Sequence, residues 1–324
     1  MTTKVRRFSA TDMATLLGLP VLTVLAWASA EGSWNLLGNA FAPMAAPFSL
    51  TSSNLPQCIG SLLELRDGAV GGARVLRNVL AHQVEETLQL LACHRPGGWR
   101  PATELRGAHN LVSALTAGNG AVLWVANSAF ASLVVKMALH DAGFKVHHLS
   151  HPRHGFSPTQ FGMRWLNPIR TKIEARYLAS RAVLPLSHNA GPVLARLVDR
   201  LKEGGIVSVT AQATSLRPIA APFLGGTLNL APGAAGIAYR SGAALLPVFT
   251  RRDAVDHHSV TIEPALSLPR GLPKEQAFEH AAQAFAQRLA PQVRQCPGSW
   301  FGWQDASDAR VSAGEPVKFG AAAQ

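Results

Sequence analysis

The sequence predicts an α/β fold, with a mainly parallel or mixed sheet flanked by helices, from three observations. Short apolar runs rich in Val, Ile and Leu occur at 122–125, 206–210 and 244–250. Helical patterns that stop at glycine stand between them. Residues 119–149 read as a complete strand–helix–strand unit, whose crossover favours two parallel strands.

In chain order, Lys4, Arg6 and Arg7 precede an uncharged, mostly apolar run from Met13 to Ala30, broken by Pro20. Its length is near the lower limit for a membrane span, and Ala28-Ser29-Ala30 has the form of a signal-peptidase site. Trp27, Glu31 and Trp34 equally suit a helix lying in a membrane surface. Of the three readings, an uncleaved membrane-associated helix is preferred, with the basic flank on the cytoplasmic side. From Cys58 to Cys93, Leu and Val recur at helical spacing around a break at 68–72, giving two amphipathic helices.

Residues 94–103 read as a loop, and the stretch from Glu104 as a short strand and a helix stopped by Gly118. Val122 to Val125 form the next strand, and Asn127 and Ser128 are helix-capping types ahead of an apolar helix that ends at Gly143. Phe144 to Leu149 resume as a strand, and residues 150–171, rich in Pro, His and Arg, read as a loop. Strand 182–185, helix 191–203 and buried strand 206–210 follow. A short small-residue helix up to Gly242 leads into strand 244–250. Val260 to Glu263 and an Ala-rich helix from Gln276 to about Ala290 complete the domain. The expected organisation is residues 1–45 as basic terminus and membrane helix, 46–304 as the α/β domain and 305–324 as a flexible tail.

With 48% hydrophobic and 15% charged residues in 324, the chain can bury a large core. Thirty Lys and Arg against nineteen Asp and Glu give a formal charge of +11, which favours anionic partners. An anionic membrane surface is preferred over nucleic acid, for which no aromatic-studded basic run or zinc spacing is present. Cys58, Cys93 and Cys296 are far apart, which fits a reducing compartment and excludes a disulfide framework or a structural zinc site.

Several stretches in register resemble the lauroyl/myristoyl late acyltransferases of lipid A biosynthesis, within the lysophospholipid acyltransferase superfamily. They are Arg106 to Gly120, Leu194 to Gln212, Pro222 to Gly226, Pro232-Gly233, Ala238 to Ala243 and Leu246 to Arg252. The resemblance covers about 100–304, with a weaker echo in the apolar amino-terminal helix. It implies a single α/β domain, acyl transfer from acyl-CoA or acyl carrier protein to a lipid or small-molecule acceptor, and a place at the cytoplasmic face of the inner membrane. It implies no bound metal, nucleotide or other cofactor.

Family members carry a His at the end of the first strand and a carboxylate five residues on, a general base and its orienting partner. By the resemblance these positions are Asn127 and Ser132, and neither residue is basic. Three readings stay open: Asn127 positions the acceptor or polarises the thioester carbonyl; a base comes from His109 or the cluster His147, His148, His151 and His154; or the fold is kept only for binding lipid or a partner. A further alternative is transfer of another activated unit, such as an aminoacyl group, onto an amine. The resemblance also assigns substrate-binding positions to Arg153, Gln212, Gly225, Gly226 and Arg240. An acyl groove is expected beside the helix after Asn127, where Ala129 and Ala131 leave room. Trp300 to Gln304 resembles the family's closing Trp-rich motif, without its usual basic residues.

Overall fold

The structure, a computed structural model, describes residues 5–49, 54–186, 189–213, 215 and 217–308. Its centre is a seven-stranded sheet of β1 (Ala102–Arg106), β2 (Ala121–Val125), β3 (Val146–Ser150), β4 (Ser180–Val183), β5 (Ile206–Thr210), β8 (Ala244–Ala254) and β9 (His257–Ile262), in the order β1-β9-β8-β2-β5-β3-β4. All neighbours are parallel except β8 and β9, an antiparallel pair. The expected mainly parallel sheet is therefore present. The strands of the 119–149 unit run parallel, but β5 lies between them.

β2 occupies the middle of the sheet, and all five of its residues are buried. Its side chains alternate between faces. Val122 and Trp124 join one apolar cluster, with α8 (Gly191–Lys202), α9 (Gly233–Ser241) and α10 (Lys274–Gln295). Leu123 and Val125 join the other, with α4 (Gly68–Ala92), α5 (Ala108–Thr116) and α6 (Ala131–Asp141). Trp124 stacks at a tilt on Phe285, ring centroids 4.5 Å apart, and so fastens α10 beneath the strand.

Three features differ from the sequence expectation. The 68–72 glycines open α4, where Gly72 lets the helix pass α3 (Leu55–Leu62): a Cβ there would meet the Pro56 carbonyl oxygen at 1.9 Å. The expected loop 150–171 ends in a π-helical turn, Gly162–Leu166, that runs into α7 (Asn167–Ala175). Pro168 lies in the first turn after this π-helical segment. The Gly-Gly stretch belongs to a hairpin of β6 (Ile219–Phe223) and β7 (Gly226–Leu230), joined antiparallel by β10 (Ala306–Ser307). Leu224 and Gly225 both have positive φ, as the two central residues of a type I′ turn must. Of the expected flexible tail, residues 309–324 lie outside the described residues, as does Lys4.

The amino-terminal apolar run forms α1 (Ala10–Ala28), followed by a second helix, α2 (Trp34–Ser49). Among the described residues, α1 is the helix long and apolar enough to cross a membrane. Both of its ends are tied to the α/β domain. At the start, Ser9 and Asp12 form a capping box, and the buried Asp12 carboxylate accepts a hydrogen bond from Thr159 Oγ1 at 2.9 Å. At the end, Trp27 Nε1 donates to the Leu91 carbonyl at 3.1 Å. The outer face of the helix is bare: Leu17 is 69% and Val24 66% exposed, as is Leu36 of α2 at 73%.

Candidate active site

Beyond Val125 the chain leaves β2 through Ala126, Asn127 and Ser128 before α6 begins. The Trp-rich segment near the carboxyl terminus fixes this exit: Phe301 N–H donates to the Asn127 carbonyl at 2.8 Å, and Ala129 N–H to the Ser299 carbonyl. Trp300 and Trp303 are buried, and Trp300 packs on Phe223 of the hairpin. Phe130 has a φ of 67°, a left-handed conformation that an aromatic residue rarely adopts. It is held by its N–H donating to Glu86 Oε1 and by the Arg252 guanidinium 5.1 Å above its ring.

Two cavities flank this turn. The smaller, about 340 Å³, lies against Ser128, Ala129, Phe130, His82 and Arg252. The larger, about 850 Å³, falls within the ~300–1,000 Å³ usual for small-molecule sites. One wall is apolar, from α1 (Ala14, Gly18, Leu22 and neighbours) with Phe41 and Met44 of α2. Thr11, Ala14, Thr15, Gly18 and Leu22 recur at helical spacing and share one face. The floor is polar and holds Asn127, Ser132 and Gln212 with His148, His154, Lys136, Arg170 and Glu86.

Three of the sequence-derived site positions, Asn127, Ser132 and Gln212, thus meet in one cavity. The other four do not line it. Arg153 lies in the loop after β3, with a buried Nε that makes no hydrogen bond among the described residues. Gly225 and Gly226 form the hairpin turn, where β10 passes so close that a Cβ on Gly226 would meet the Ser307 oxygen at 2.3 Å. Arg240 is exposed on α9 and turns its Nε back to the Gly236 carbonyl. Of the small residues expected to shape the groove, Ala131 lines the larger cavity and Ala129 the smaller.

The histidine cluster divides by strand geometry. His147 and His148 point to opposite faces of β3. His147 bonds Ser180 on β4, whereas His148 is buried and bonds Ser208 Oγ at 2.9 Å on the cavity side. His151 Nδ1 accepts from the Arg153 N–H and shapes the loop. His154 reaches into the cavity, placed there by Asn167, whose side chain takes hydrogen bonds from the Phe156 and Ser157 amides and donates to the Ser157 carbonyl. Among the described residues no three metal-ligating groups converge, and no imidazole is hydrogen-bonded to the Asn127 side chain. His109 is exposed on α5.

His154 Nε2 donates to both oxygens of Glu174, at 2.9 and 3.1 Å, and Lys136 Nζ lies 3.6 Å from the same carboxylate. Glu174 is fully buried. Burial alone would raise its carboxyl, but the Lys136 charge and the His154 bond outweigh that and hold it well below the ordinary carboxylate range. Burial lowers both His154 and Lys136, opposed in each case by Glu174. Burial pushes Glu86 up to about 7, against the pull of Arg170 and the Phe130 N–H. Arg170 also donates to Ser132 Oγ at 3.0 Å, so the Ser132 hydroxyl is engaged as an acceptor.

Lys136, Glu174, Arg170 and Glu86 were not singled out in the sequence. One signal was available: Lys136 is the lone full charge within the apolar stretch 131–139.

The model of the bacterial lipid A biosynthesis acyltransferase family matches residues 86–304. The chain belongs to that family. The match takes in the whole seven-stranded sheet, the strand-end turn, most of the polar cavity floor and the Trp-rich segment. Members of this family are acyltransferases, and the β2 exit is where the family resemblance puts the reacting groups. A comparison with curated proteins found no match.

Proposed function

We propose that the protein transfers an acyl group from an acyl thioester, either acyl-CoA or acyl carrier protein, to a hydroxyl or amine acceptor presented at an anionic membrane surface. One observation carries the reading. A single cavity joins an apolar slot beneath α1 and α2 to a polar floor at the end of the central strand. An acyl chain fits the slot, and its thioester carbonyl then lies over the floor. The Asn127 amide NH2 supplies a neutral donor for the carbonyl oxygen as charge builds on it, a role that needs no basic lone pair.

Membrane association follows from α1. Because both ends of the helix are anchored on the domain, its bare face of Leu17, Val21 and Val24 lies along the protein surface and suits insertion in the plane of the bilayer. Leu17 and Val21 also edge the cavity, so the mouth of the slot opens at that surface. Arg6 and Arg7, just ahead of the helix, suit anionic headgroups on the cytoplasmic leaflet.

The test is turnover of acyl-CoA and of acyl carrier protein thioesters by the full-length protein on anionic vesicles carrying hydroxyl- and amine-headed acceptors. Product is expected, and Asn127→Ala should lower kcat about 100-fold, the scale of losing one oxyanion donor. Unchanged turnover in that variant would remove the strand end from the mechanism. Protein left in the supernatant after sedimentation of the vesicles would refute the membrane half.

A further inference from the structure

We propose that His154 and Glu174 form the general-base dyad of this site, standing two strands away from the β2 end where the family resemblance puts one. The inference rests on the acyl-transfer reading above and names the group that accepts the proton.

The geometry has the parts a base requires. His154 lines the cavity that Asn127 also lines. Its Nε2–H is committed to a fully buried carboxylate, so the ring is fixed in orientation and tautomer. The other ring nitrogen, Nδ1, makes no hydrogen bond among the described residues and keeps its lone pair. Asn167 clamps the following loop, and Gly155 permits the clamp, since a Cβ there would meet the Asn167 side chain at 2.5 Å. Lys136, the buried cation at 3.6 Å, keeps Glu174 ionised and thus able to stabilise an imidazolium.

Among the described residues, no other imidazole of the neighbourhood is hydrogen-bonded to a carboxylate. His148 shares its Nδ1 with Ser208, and His151 Nδ1 accepts the Arg153 amide. His154 is therefore the imidazole of this cavity that has both a carboxylate partner and a ring nitrogen outside any hydrogen bond among the described residues. Burial keeps it neutral at pH 7, the state in which it can accept a proton.

In the step, Nδ1 removes the proton from the acceptor O–H or N–H as that atom bonds to the thioester carbonyl carbon. The tetrahedral adduct then collapses with cleavage of the C–S bond. The sulfur leaves with the electron pair and takes the proton back from the imidazolium, so acyl thioester and acceptor become ester or amide and free thiol.

The test compares wild type with His154→Gln, which retains a donor toward Glu174 but has no basic nitrogen, and with Glu174→Gln. The expected result is a kcat at least about 100-fold lower in His154→Gln with KM little changed. Glu174→Gln, a positioning change, should lose about 10-fold and move the acidic limb of the pH–rate profile. That limb belongs to an imidazole faced by Glu174 and Arg170 of α7, Lys136 of α6, His148 of β3 and His151 of its own loop. In the wild type it should lie below the ordinary histidine value of about 6.5.

An active wild type whose His154→Gln variant keeps its kcat would overturn the dyad. If the wild type turns over no thioester, the acyl-transfer reading fails on its own. The dyad is then decided by 15N NMR of histidine-labelled protein, with the His154 signals identified by their loss in His154→Gln. Nδ1 unprotonated at pH 7 and shifted by added acyl-CoA supports it; a proton on Nδ1 overturns it.

Discussion

Two parts of one cavity floor contrast sharply. At the β2 exit, Asn127 and Ser132 are neutral, and their backbones and hydroxyls are spoken for by Phe301, Arg170 and Lys136. At the far side, His154, Glu174 and Lys136 form a buried, mutually dependent set of titrating groups. The first part is set by a strand end and is fixed by topology; the second is set by the loop after β3, the middle of α6 and the end of α7. The difference teaches that an α/β sheet determines where a substrate carbonyl can lie, while the proton-handling group can come from any element that reaches the same cavity.

Charge removal should break the comparison most visibly. Lys136→Met strands the buried Glu174 with the His154 ring as its remaining close partner, and removing one member of a buried pair typically costs about 3–5 kcal/mol. The expected outcome in urea unfolding at pH 7 is a loss of about 3 kcal/mol, softened because His154 can take up a proton and replace the missing cation. A loss below about 1 kcal/mol would show that the two sides are not energetically different.

Glu86 gives a smaller, pH-dependent effect. It titrates near 7 in the folded protein, above the ordinary 4.5, because it is buried between the Phe130 turn and Arg170. The folded state therefore binds this proton more tightly than the unfolded chain, and stability is lost as pH rises from about 4.5 to 7. Glu86→Gln keeps an oxygen to accept the Phe130 N–H and removes the titration. Its stability relative to wild type should rise between pH 5 and pH 8, by up to roughly 3 kcal/mol. A difference that does not vary with pH would contradict the assignment.

The unequal legibility of the two sides has the same origin. The β2 exit could be read from the chain because Val122 to Val125 followed by capping residues is a local pattern, and because the family resemblance fixed Asn127, Ser132 and Gln212 in register. Their convergence on one cavity came from parallel strands β2 and β5 ending side by side. On the other side His154 was legible only as one of a cluster of four, and its partners were not, because Pro152, Pro158 and Pro168 mask the helix that begins near residue 160 and the pairing of Lys136 with Glu174 spans 38 residues. The Gly225-Gly226 stretch, which the resemblance assigns to substrate binding, is a hairpin turn in the structure. Pairing with β10, eighty residues on, is what makes it a strand register.

The cavity itself provides the most direct measurement. Gly18 lies on the slot face of α1 with open space where a Cβ would stand, so Gly18→Phe projects a ring into the slot without a backbone penalty. Turnover measured over a series of acyl thioesters from four to sixteen carbons, about the span of common acyl donors that a slot of this size can grade, compares the two proteins directly. The expected result is a shift of preference toward shorter chains, with long donors losing far more kcat/KM than short ones. An identical chain-length profile in wild type and Gly18→Phe would contradict the placement of the acyl chain beneath α1, and with it the proposed site.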